Sequence, residues 1–170
     1  ILMIGMQPMS GAVSPLKENP HFVRLLTMFT NPFMGILVGI VFTAVLQSAS
    51  ASVGILQALS ITGSITFAAA LPITMGIGVG AACPVLLSSI GTNKNGKRTA
   101  LIYLLNDLFG MIFWSIVFYS VNAIVHFPFM GEIMSPFRVA LLNTVFRLLT
   151  ILVLAPFIGK IEKLVFFLIK

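Results

Sequence analysis

The hydrophobic positions of this sequence form apolar runs of unequal length, separated by short polar segments. The opening segment, 1–16, contains too short an apolar stretch to cross a bilayer unaided, so we expect a partial membrane segment there. Residues 17–30 place charged and apolar side chains at helical spacing, which predicts an amphipathic helix in the membrane interface. Both segments are expected to contact the membrane without crossing it.

Two short apolar helices are predicted next. Asn31 followed by Pro32 is typical of a helix start, because asparagine caps the first amides and proline suits the first helical position. The helix that begins there and ends near Leu46 is roughly 22 Å long at the α-helical rise, too short for a span. The next apolar piece, 53–61, is shorter still. We therefore interpret 31–62 as a re-entrant helical hairpin, which enters the membrane and returns to the same side.

Three longer runs complete the chain. Residues 64–90 are long enough to span, yet they contain several helix-breaking residues, which predict an unwound, broken helix: Pro72, Gly76, Gly78, Gly80 and Pro84. Residues 99–125 and 139–158 predict two uninterrupted transmembrane helices. The predicted fold is an all-α integral membrane protein with one transmembrane domain over 1–170, built from a hairpin, a broken helix and long spans.

The composition places these helices in a lipid bilayer. Hydrophobic residues make up 58% of the chain and charged residues 8%, and the mean hydropathy is +1.09, which leaves too little polar surface for a soluble globule. A net charge of +6 would suggest nucleic acid in a soluble protein, but here the basic residues stand between or after the apolar runs. We therefore expect a multi-pass protein of the plasma membrane with no nucleic-acid partner.

The basic residues also predict the orientation. Two spans separate two basic groups, which should therefore share the cytoplasmic face together with the C-terminus: Lys94, Lys97 and Arg98 in a loop, and Lys160, Lys163 and Lys170 in the tail. The loop between His126 and Arg138, and the base of the hairpin, are then expected on the outer side.

The polar break in the hairpin, Gln47-Ser48-Ala49-Ser50, is the first candidate binding site. One helix ends there and another begins, so the carbonyl end suits a cation and the amide end suits an anion. The side chains of Gln47, Ser48 and Ser50 add neutral donors and acceptors without a buried charge. The alternative interpretation is that these residues only cap the two helix ends or hydrogen-bond neighbouring helices.

The sequence around this break resembles the sodium/phosphate cotransporter family. The resemblance rests on 31–35, on the Thr-Ala and Gln-Ser-Ala-Ser stretches within 43–59, and on 71–73 and 88–101. The residues at 54–59 resemble the second of the family's two inverted repeats more than the first. The resemblance implies one half of an inverted-repeat transporter, completed by a second repeat in the same chain or in a second subunit.

The resemblance also implies site residues. It assigns the substrate to Gln47, Ser48 and Ser50, and a bound sodium ion to Thr43, Gln47, Gly78 and Gly80. No cofactor is expected apart from such a sodium ion. Some positions differ from the family pattern: Ala49 replaces a serine, and side-chain oxygens are missing at Gly78, Ala81, Ala82 and Pro84. Backbone carbonyls of an unwound, glycine-rich segment are expected to take their place.

Asp107 and Arg147 are charged residues well inside predicted spans, where an isolated charge is costly. The family usually has a histidine four residues before an asparagine in both helices, and here those pairs are Tyr103 with Asp107 and Asn143 with Arg147. We expect Asp107 and Arg147 to form an interhelical charge pair. Its role, structural or in proton or anion handling, stays open at the level of the sequence.

These features favour a cation-coupled secondary transporter, with sodium as the expected ion and inorganic phosphate or a related oxyanion as the cargo. No nucleophile and base occur together at a plausible depth, so an enzyme is not expected. The alternative is a non-transporting membrane sensor or assembly subunit that retains the transporter fold. Ala81 and Ala82 favour this alternative, whereas Gln47, Ser48 and Ser50 oppose it.

Overall fold

The computed structural model describes residues 30–169, and the regular elements among them are helices. Seven α-helices follow one another in the described part of the chain: α1 (Pro32–Leu46), α2 (Ala49–Ile61), α3 (Phe67–Gly80), α4 (Ala82–Ser89), α5 (Lys94–Val125), α6 (Pro136–Leu154) and α7 (Ile158–Leu168). The all-α prediction is thereby confirmed for these residues. The segment predicted at 1–16 and all but the last residue of the interfacial helix predicted at 17–30 lie outside the described residues.

Three helical segments are long and apolar enough to cross a membrane: Phe67–Ser89, Lys94–Val125 and Pro136–Leu168. The last two leave large apolar side chains exposed on their outer faces, among them Ile116, Ile124 and Leu152. Water would solvate such faces poorly, whereas lipid chains match them. The helices therefore have the lengths and surfaces of membrane-embedded elements.

Local capping explains where the first two helices begin and end. The side chain of Asn31 accepts a hydrogen bond of 3.1 Å from the amide of Phe33, and Pro32 follows in the first turn. Helix α1 ends at Gln47, whose backbone is left-handed (φ 53°) and whose amide donates to the carbonyl of Thr43. Ser48 is extended and caps α2. The predicted helix start at Asn31 and the break after Leu46 are confirmed.

Glycines bring α1 and α3 into close contact. A Cβ atom added at Gly39 would lie 3.0 Å from the Cα of Gly76, and one added at Gly80 would lie 2.8 Å from the Cβ of Thr43. Residue numbers rise together along this contact, so the two helices run parallel. Small residues spaced four apart allow such backbone contact in membrane helices.

Helix α2 runs back along the bundle to the end at which α1 begins. The side chain of Gln57 donates a hydrogen bond of 3.1 Å to the carbonyl of Pro136, at the start of α6. Beyond α2, the amide of Met134 donates to the carbonyl of Ile65, and the amide of Phe67 donates to the carbonyl of Glu132. An apolar core lies next to these contacts, between α2, α3 and α6: Leu56, Ile65, Ala70, Ile73, Ile77, Met134 and Val139.

The helix predicted to break within 64–90 is interrupted, but only at one residue, and the glycines before it are not unwound. Helix α3 continues through Gly76, Gly78 and Gly80, and the interruption before α4 is the single residue Ala81, whose own backbone is α-helical. The three glycines are buried inside the bundle. Gly76 and Gly80 serve close contact with α1, which accounts for glycine at these two positions without a loss of helix.

The basic loop and the end of the C-terminal segment lie together at the opposite end of the bundle. The guanidinium of Arg98 donates hydrogen bonds of 3.0 and 2.8 Å to the carbonyl of Ile169, and it lies 4.2 Å from the ring centre of Phe166. The end of the described chain thus lies beside the basic loop, whereas Lys160 lies farther along α5, near Phe109 and Ile112. The segment expected to be a tail forms α7, a helix that was not predicted from the sequence.

Candidate functional site

The tip of the α1–α2 hairpin brings together the three residues predicted to bind substrate. Gln47 forms the C-cap of α1, Ser48 the N-cap of α2, and Ser50 lies in the first turn of α2. The hydroxyl oxygens of Ser48 and Ser50 are 3.2 Å apart, and the Ser48 hydroxyl accepts a bond of 3.2 Å from the amide of Ala51. Gln47 and Ser50 are exposed, and Ser48 is half-buried. The tip is therefore accessible to a ligand.

A buried pair of hydroxyl groups supports the tip from behind. Thr43 on α1 donates a bond of 3.0 Å to the hydroxyl of Ser52 on α2, which in turn donates to the carbonyl of Ser48 over 3.0 Å. Both side chains are almost completely buried. This chain of bonds fixes the angle between the two arms and holds the backbone of Ser48 in place.

The tip presents partial charges of both signs. The first amides of α2 have no acceptor within their own helix, and the helix dipole adds partial positive charge there. The last carbonyls of α1 supply partial negative charge a few ångströms away. The site thus offers donors to an oxyanion and acceptors to a cation, without an ionised side chain at Gln47, Ser48 or Ser50.

The four residues expected to bind a cation are only partly brought together. Thr43, four residues before Gln47, lies against Gly80. Pro84 has no amide hydrogen, so the carbonyl of Gly80 lacks its usual helical donor at the joint between α3 and α4. Gly78 lies on the other side of α3, where an added Cβ would face the ring of Phe146. The structure therefore groups Thr43, Gln47 and Gly80 and separates Gly78 from them.

Gly78 instead lines a cavity of about 190 Å³ between α3, α5 and α6. Ten residues surround this cavity: Thr74, Gly78, Tyr103, Asn106, Asp107, Asn143, Phe146, Arg147, Thr150 and Ile151. None of the tip residues Gln47, Ser48 and Ser50 lines this cavity. The molecule thus has two polar regions inside its apolar helices, one on each side of α3.

Asp107 and Arg147 both line this cavity, but their charged groups do not contact each other. No nitrogen of Arg147 lies within 4.0 Å of an oxygen of Asp107. Within residues 30–169, Arg138 instead forms an ion pair with Glu132, near the start of α6. The predicted charge pair is therefore a juxtaposition across a cavity. The side chain of Asn106 donates a long bond of 3.4 Å to Oδ1 of Asp107.

Two buried oxygens of the cavity lining have no hydrogen-bond partner within residues 30–169: Oδ2 of Asp107 and Oγ1 of Thr150. Polar atoms buried in a protein are nearly always hydrogen-bonded, to protein or to a bound molecule. Thr150 is 5% exposed, so bulk water does not reach most of its surface. The residues that line the cavity therefore include two oxygens with unused hydrogen-bonding capacity.

Several residues of these two regions were not predicted from the sequence: Ser52 behind the tip, and Thr74, Asn106 and Thr150 at the cavity. A signal for the cavity existed, because Tyr103, Asn106 and Asp107 share a helix face with Gly110 at spacings of three, four and seven. Asn143, Phe146, Arg147 and Thr150 repeat the same spacing. Two polar stripes within apolar helices predict helix faces that meet inside the bundle.

No group of three histidine, cysteine, aspartate or glutamate side chains could hold a metal ion in the range 30–169. A sodium ion takes hydroxyl and carbonyl oxygens instead, and Thr43 and Gly80 supply such atoms beside the tip.

Comparison with protein-family models gives a match over most of the chain. A family model described as Na+/Pi-cotransporter matches residues 1–142, which include α1 to α5 and the start of α6. No curated protein and no solved structure matches the chain. Because the family match covers 142 of the 170 residues, the chain belongs to the Na+/Pi-cotransporter family.

Proposed function

We propose that this chain is the half of a secondary transporter that couples the movement of a cation, sodium, to the movement of inorganic phosphate or a related oxyanion. It acts as a carrier and not as an enzyme, in the plasma membrane with its C-terminus in the cytoplasm. A second repeat, in the same chain or in a second subunit, completes the transport path around the hairpin tip. The observation that carries the proposal is the accessible pairing of Ser48 and Ser50 at the N-terminus of α2, in a chain of this family.

The oxyanion is held by hydroxyl groups and backbone amides. Ser48 and Ser50 donate to its oxygens, together with the first amides of α2, and the helix dipole favours its charge. Neutral donors suit a carrier, because an ion held by fixed opposite charges is released slowly. Gln47 adds an amide that donates to the oxyanion or accepts a cation.

The cation lies on the α1 side of the same tip. The hydroxyl of Thr43 has a lone pair in addition to the hydrogen that it gives to Ser52, and Gly80 contributes the carbonyl that Pro84 leaves without a donor. Sodium there would offset the charge of the bound oxyanion. Joint binding of the two ions lowers the electrostatic cost of carrying either one through the bilayer.

The hairpin supplies an element for alternating access. Helix α1 contacts α3 through small residues such as Gly39 and Gly76, a surface on which one helix can slide over the other. Movement of the hairpin tip relative to the joint at Ala81 would expose the bound ions first to one side and then to the other. The re-entrant course of residues 31–62 belongs to this proposal.

Uptake of radiolabelled phosphate into proteoliposomes that contain the complete protein tests the proposal. An inward sodium gradient should drive uptake above the level with potassium, and Ser50→Ala should lower it about tenfold, the loss of one hydrogen bond to a charged ligand. Ser88→Ala is the matched control, because the hydroxyl of Ser88 is exposed on α4 and bonds locally to Val85. Absence of uptake under both sodium and proton gradients would overturn the carrier proposal.

One observation favours a second candidate, a non-transporting sensor or assembly subunit. The backbone through Gly76, Gly78 and Gly80 is helical, so fewer carbonyls are available to a cation than an unwound segment would offer. Ala81 and Ala82 lack side-chain oxygens as well. Such a subunit would bind phosphate in detergent but would not accumulate it under any gradient. Parallel binding and uptake measurements on the same preparation distinguish it from a carrier.

A further inference from the structure

The cavity between α3, α5 and α6 contains two opposite charges that do not neutralise each other directly. Arg147 enters it from α6 and Asp107 from α5, yet their charged groups stay more than 4.0 Å apart. Charges within a membrane-spanning bundle are costly unless each one is paired and hydrogen-bonded. The gap between them therefore favours a bound molecule that interacts with both.

The chemistry of such a molecule follows from the unused atoms. Oδ2 of Asp107 accepts no hydrogen bond from residues 30–169, so the bound molecule must donate to it. The guanidinium of Arg147 is a planar, multivalent donor, so the molecule must also accept from it. Oγ1 of Thr150, unpaired and buried on the same wall, either donates or accepts. One molecule that donates on one side and carries negative oxygens on the other satisfies all three.

A protonated oxyanion meets these conditions. Phosphate at neutral pH keeps at least one hydroxyl group, which can donate to Asp107 while the other oxygens accept from Arg147 in a bidentate arrangement. Sulfate has the same shape but no hydroxyl group, so one of its oxygens would face the carboxylate of Asp107 without a hydrogen between them. A volume of about 190 Å³ holds several water molecules at about 30 Å³ each, which is ample for one tetrahedral ion.

The geometry points to this cavity as a second oxyanion site, which binds phosphate or arsenate in a protonated form and rejects sulfate. Arg147 anchors the ion, and Asp107 determines its specificity. Tyr103 on α5 is the other titratable side chain of the lining, and Thr74 and Gly78 complete the α3 wall without a charge. The family match ends at residue 142, before Arg147 and Thr150.

This inference rests on the proposed function for the identity of phosphate as the cargo, but binding in the cavity does not require transport. The two sites lie on opposite sides of α3, because Gly78 faces the cavity and Gly80 faces α1. Variants at the tip and at the cavity can therefore be compared as separate perturbations.

Equilibrium binding of radiolabelled inorganic phosphate to the complete purified protein tests the inference, with unlabelled sulfate as competitor. The cavity component of wild-type binding, which is the part that Arg147→Gln removes, should resist excess sulfate. Asp107→Asn keeps the shape of the side chain and removes its charge, and it should let sulfate compete about tenfold better, because the amide can donate to an unprotonated oxygen. Arg147→Gln should remove the cavity component of phosphate binding. Glu162→Gln and Arg138→Gln are matched controls for the two charge changes and should behave as wild type.

The outcomes separate the two sites. If the double variant Ser48→Ala/Ser50→Ala loses all phosphate binding while Arg147→Gln binds as wild type does, the cavity inference is overturned and the tip proposal stands. If Arg147→Gln loses binding and the tip variant keeps wild-type uptake, the tip proposal fails and the cavity inference stands. If Arg147→Gln does not fold, Asp107→Asn decides alone: unchanged discrimination against sulfate would mean that the cavity contains only water.

Discussion

Thr43 and Ser52 join the two arms of the hairpin through a hydrogen bond of 3.0 Å between their buried hydroxyl groups. The residues are nine positions apart and lie on either side of the polar tip. Ser52 also bonds to the carbonyl of Ser48, so the same contact that closes the hairpin fixes the N-cap of α2. The geometry of the oxyanion side of the tip thus depends on a buried bond behind it.

A double-mutant cycle should measure this contact. Thr43→Val keeps the side-chain shape and removes the donor, and it should lower the free energy of unfolding by about 1 kcal/mol. Ser52→Ala should cost a similar amount, and the double variant should cost less than the two single changes added together, because neither partner then remains unpaired. Unfolding of the purified protein in detergent, monitored at several temperatures, gives the four values. Strict additivity would mean that the bond contributes nothing.

Gly76→Ala should destabilise the bundle strongly. The added Cβ would lie 2.9 Å from the amide nitrogen of Ile40 and 3.0 Å from the Cα of Gly39, and backbone atoms cannot rotate away. Overpacking of this kind costs about 1–3 kcal/mol or more. Gly54→Ala is the control, because no atom beyond its chain neighbours and its own helix backbone lies within 4 Å of the added Cβ. Alanine is also the better helix former by about 1 kcal/mol. Equal unfolding temperatures for the two variants would contradict the close α1–α3 contact.

The sequence predicted the hairpin arms well because their ends are determined locally. Asn31 and Pro32 start α1 through caps that involve only nearby atoms, and Ser48 starts α2 in the same way. The glycines of α3 were misinterpreted because their role depends on another helix. Glycine lowers helix propensity everywhere, but Gly76 and Gly80 lie against α1, and the contact stabilises the helix that propensity alone would weaken.

Helix α7 and the cavity were missed for the same kind of reason. The lysines suggested a tail, yet Ile161 and Val165 are buried and the helix packs against α5. The cavity depends on the distances between helices α3, α5 and α6, and the residues along one helix face do not determine those distances. The sequence identified the charges at Asp107 and Arg147 but not the space between them.

Gly110 and Thr150 should be coupled across the α5–α6 contact. A Cβ added at Gly110 would collide with the Cγ2 of Thr150 and lie 3.2 Å from its Oγ1. Gly110→Ala should therefore lower the free energy of unfolding by about 1–2 kcal/mol. Thr150→Ala removes the colliding methyl group and the unpaired hydroxyl, so it should restore most of the stability in the double variant. If Thr150→Ala fails to rescue Gly110→Ala, the two residues are not in contact.

Arg98→Gln should loosen the end of α7. The change removes two hydrogen bonds to the carbonyl of Ile169 and the contact with the ring of Phe166. A cation at a helix C-terminus also interacts favourably with the helix dipole. Hydrogen exchange of the amides in 165–169 should accelerate about tenfold, whereas Lys97→Gln, the same charge change at an exposed neighbour, should leave it unchanged. Equal exchange in both variants would assign the stability of α7 to apolar contacts alone.

Two substitutions at Ser48 should separate its cap from its role in binding. Asparagine, aspartate and serine cap helices about equally, so Ser48→Asn and Ser48→Asp should both keep the unfolding free energy within about 0.5 kcal/mol of wild type. Aspartate, however, adds a negative charge beside the Ser50 hydroxyl, which lies 3.2 Å from the Ser48 hydroxyl and where the oxyanion is proposed to bind. Phosphate uptake by Ser48→Asp should fall at least about a hundredfold, through like-charge repulsion in a poorly solvated site, and Ser48→Asn should retain most of it. Wild-type uptake by Ser48→Asp would show that Ser48 caps α2 and does not touch the cargo.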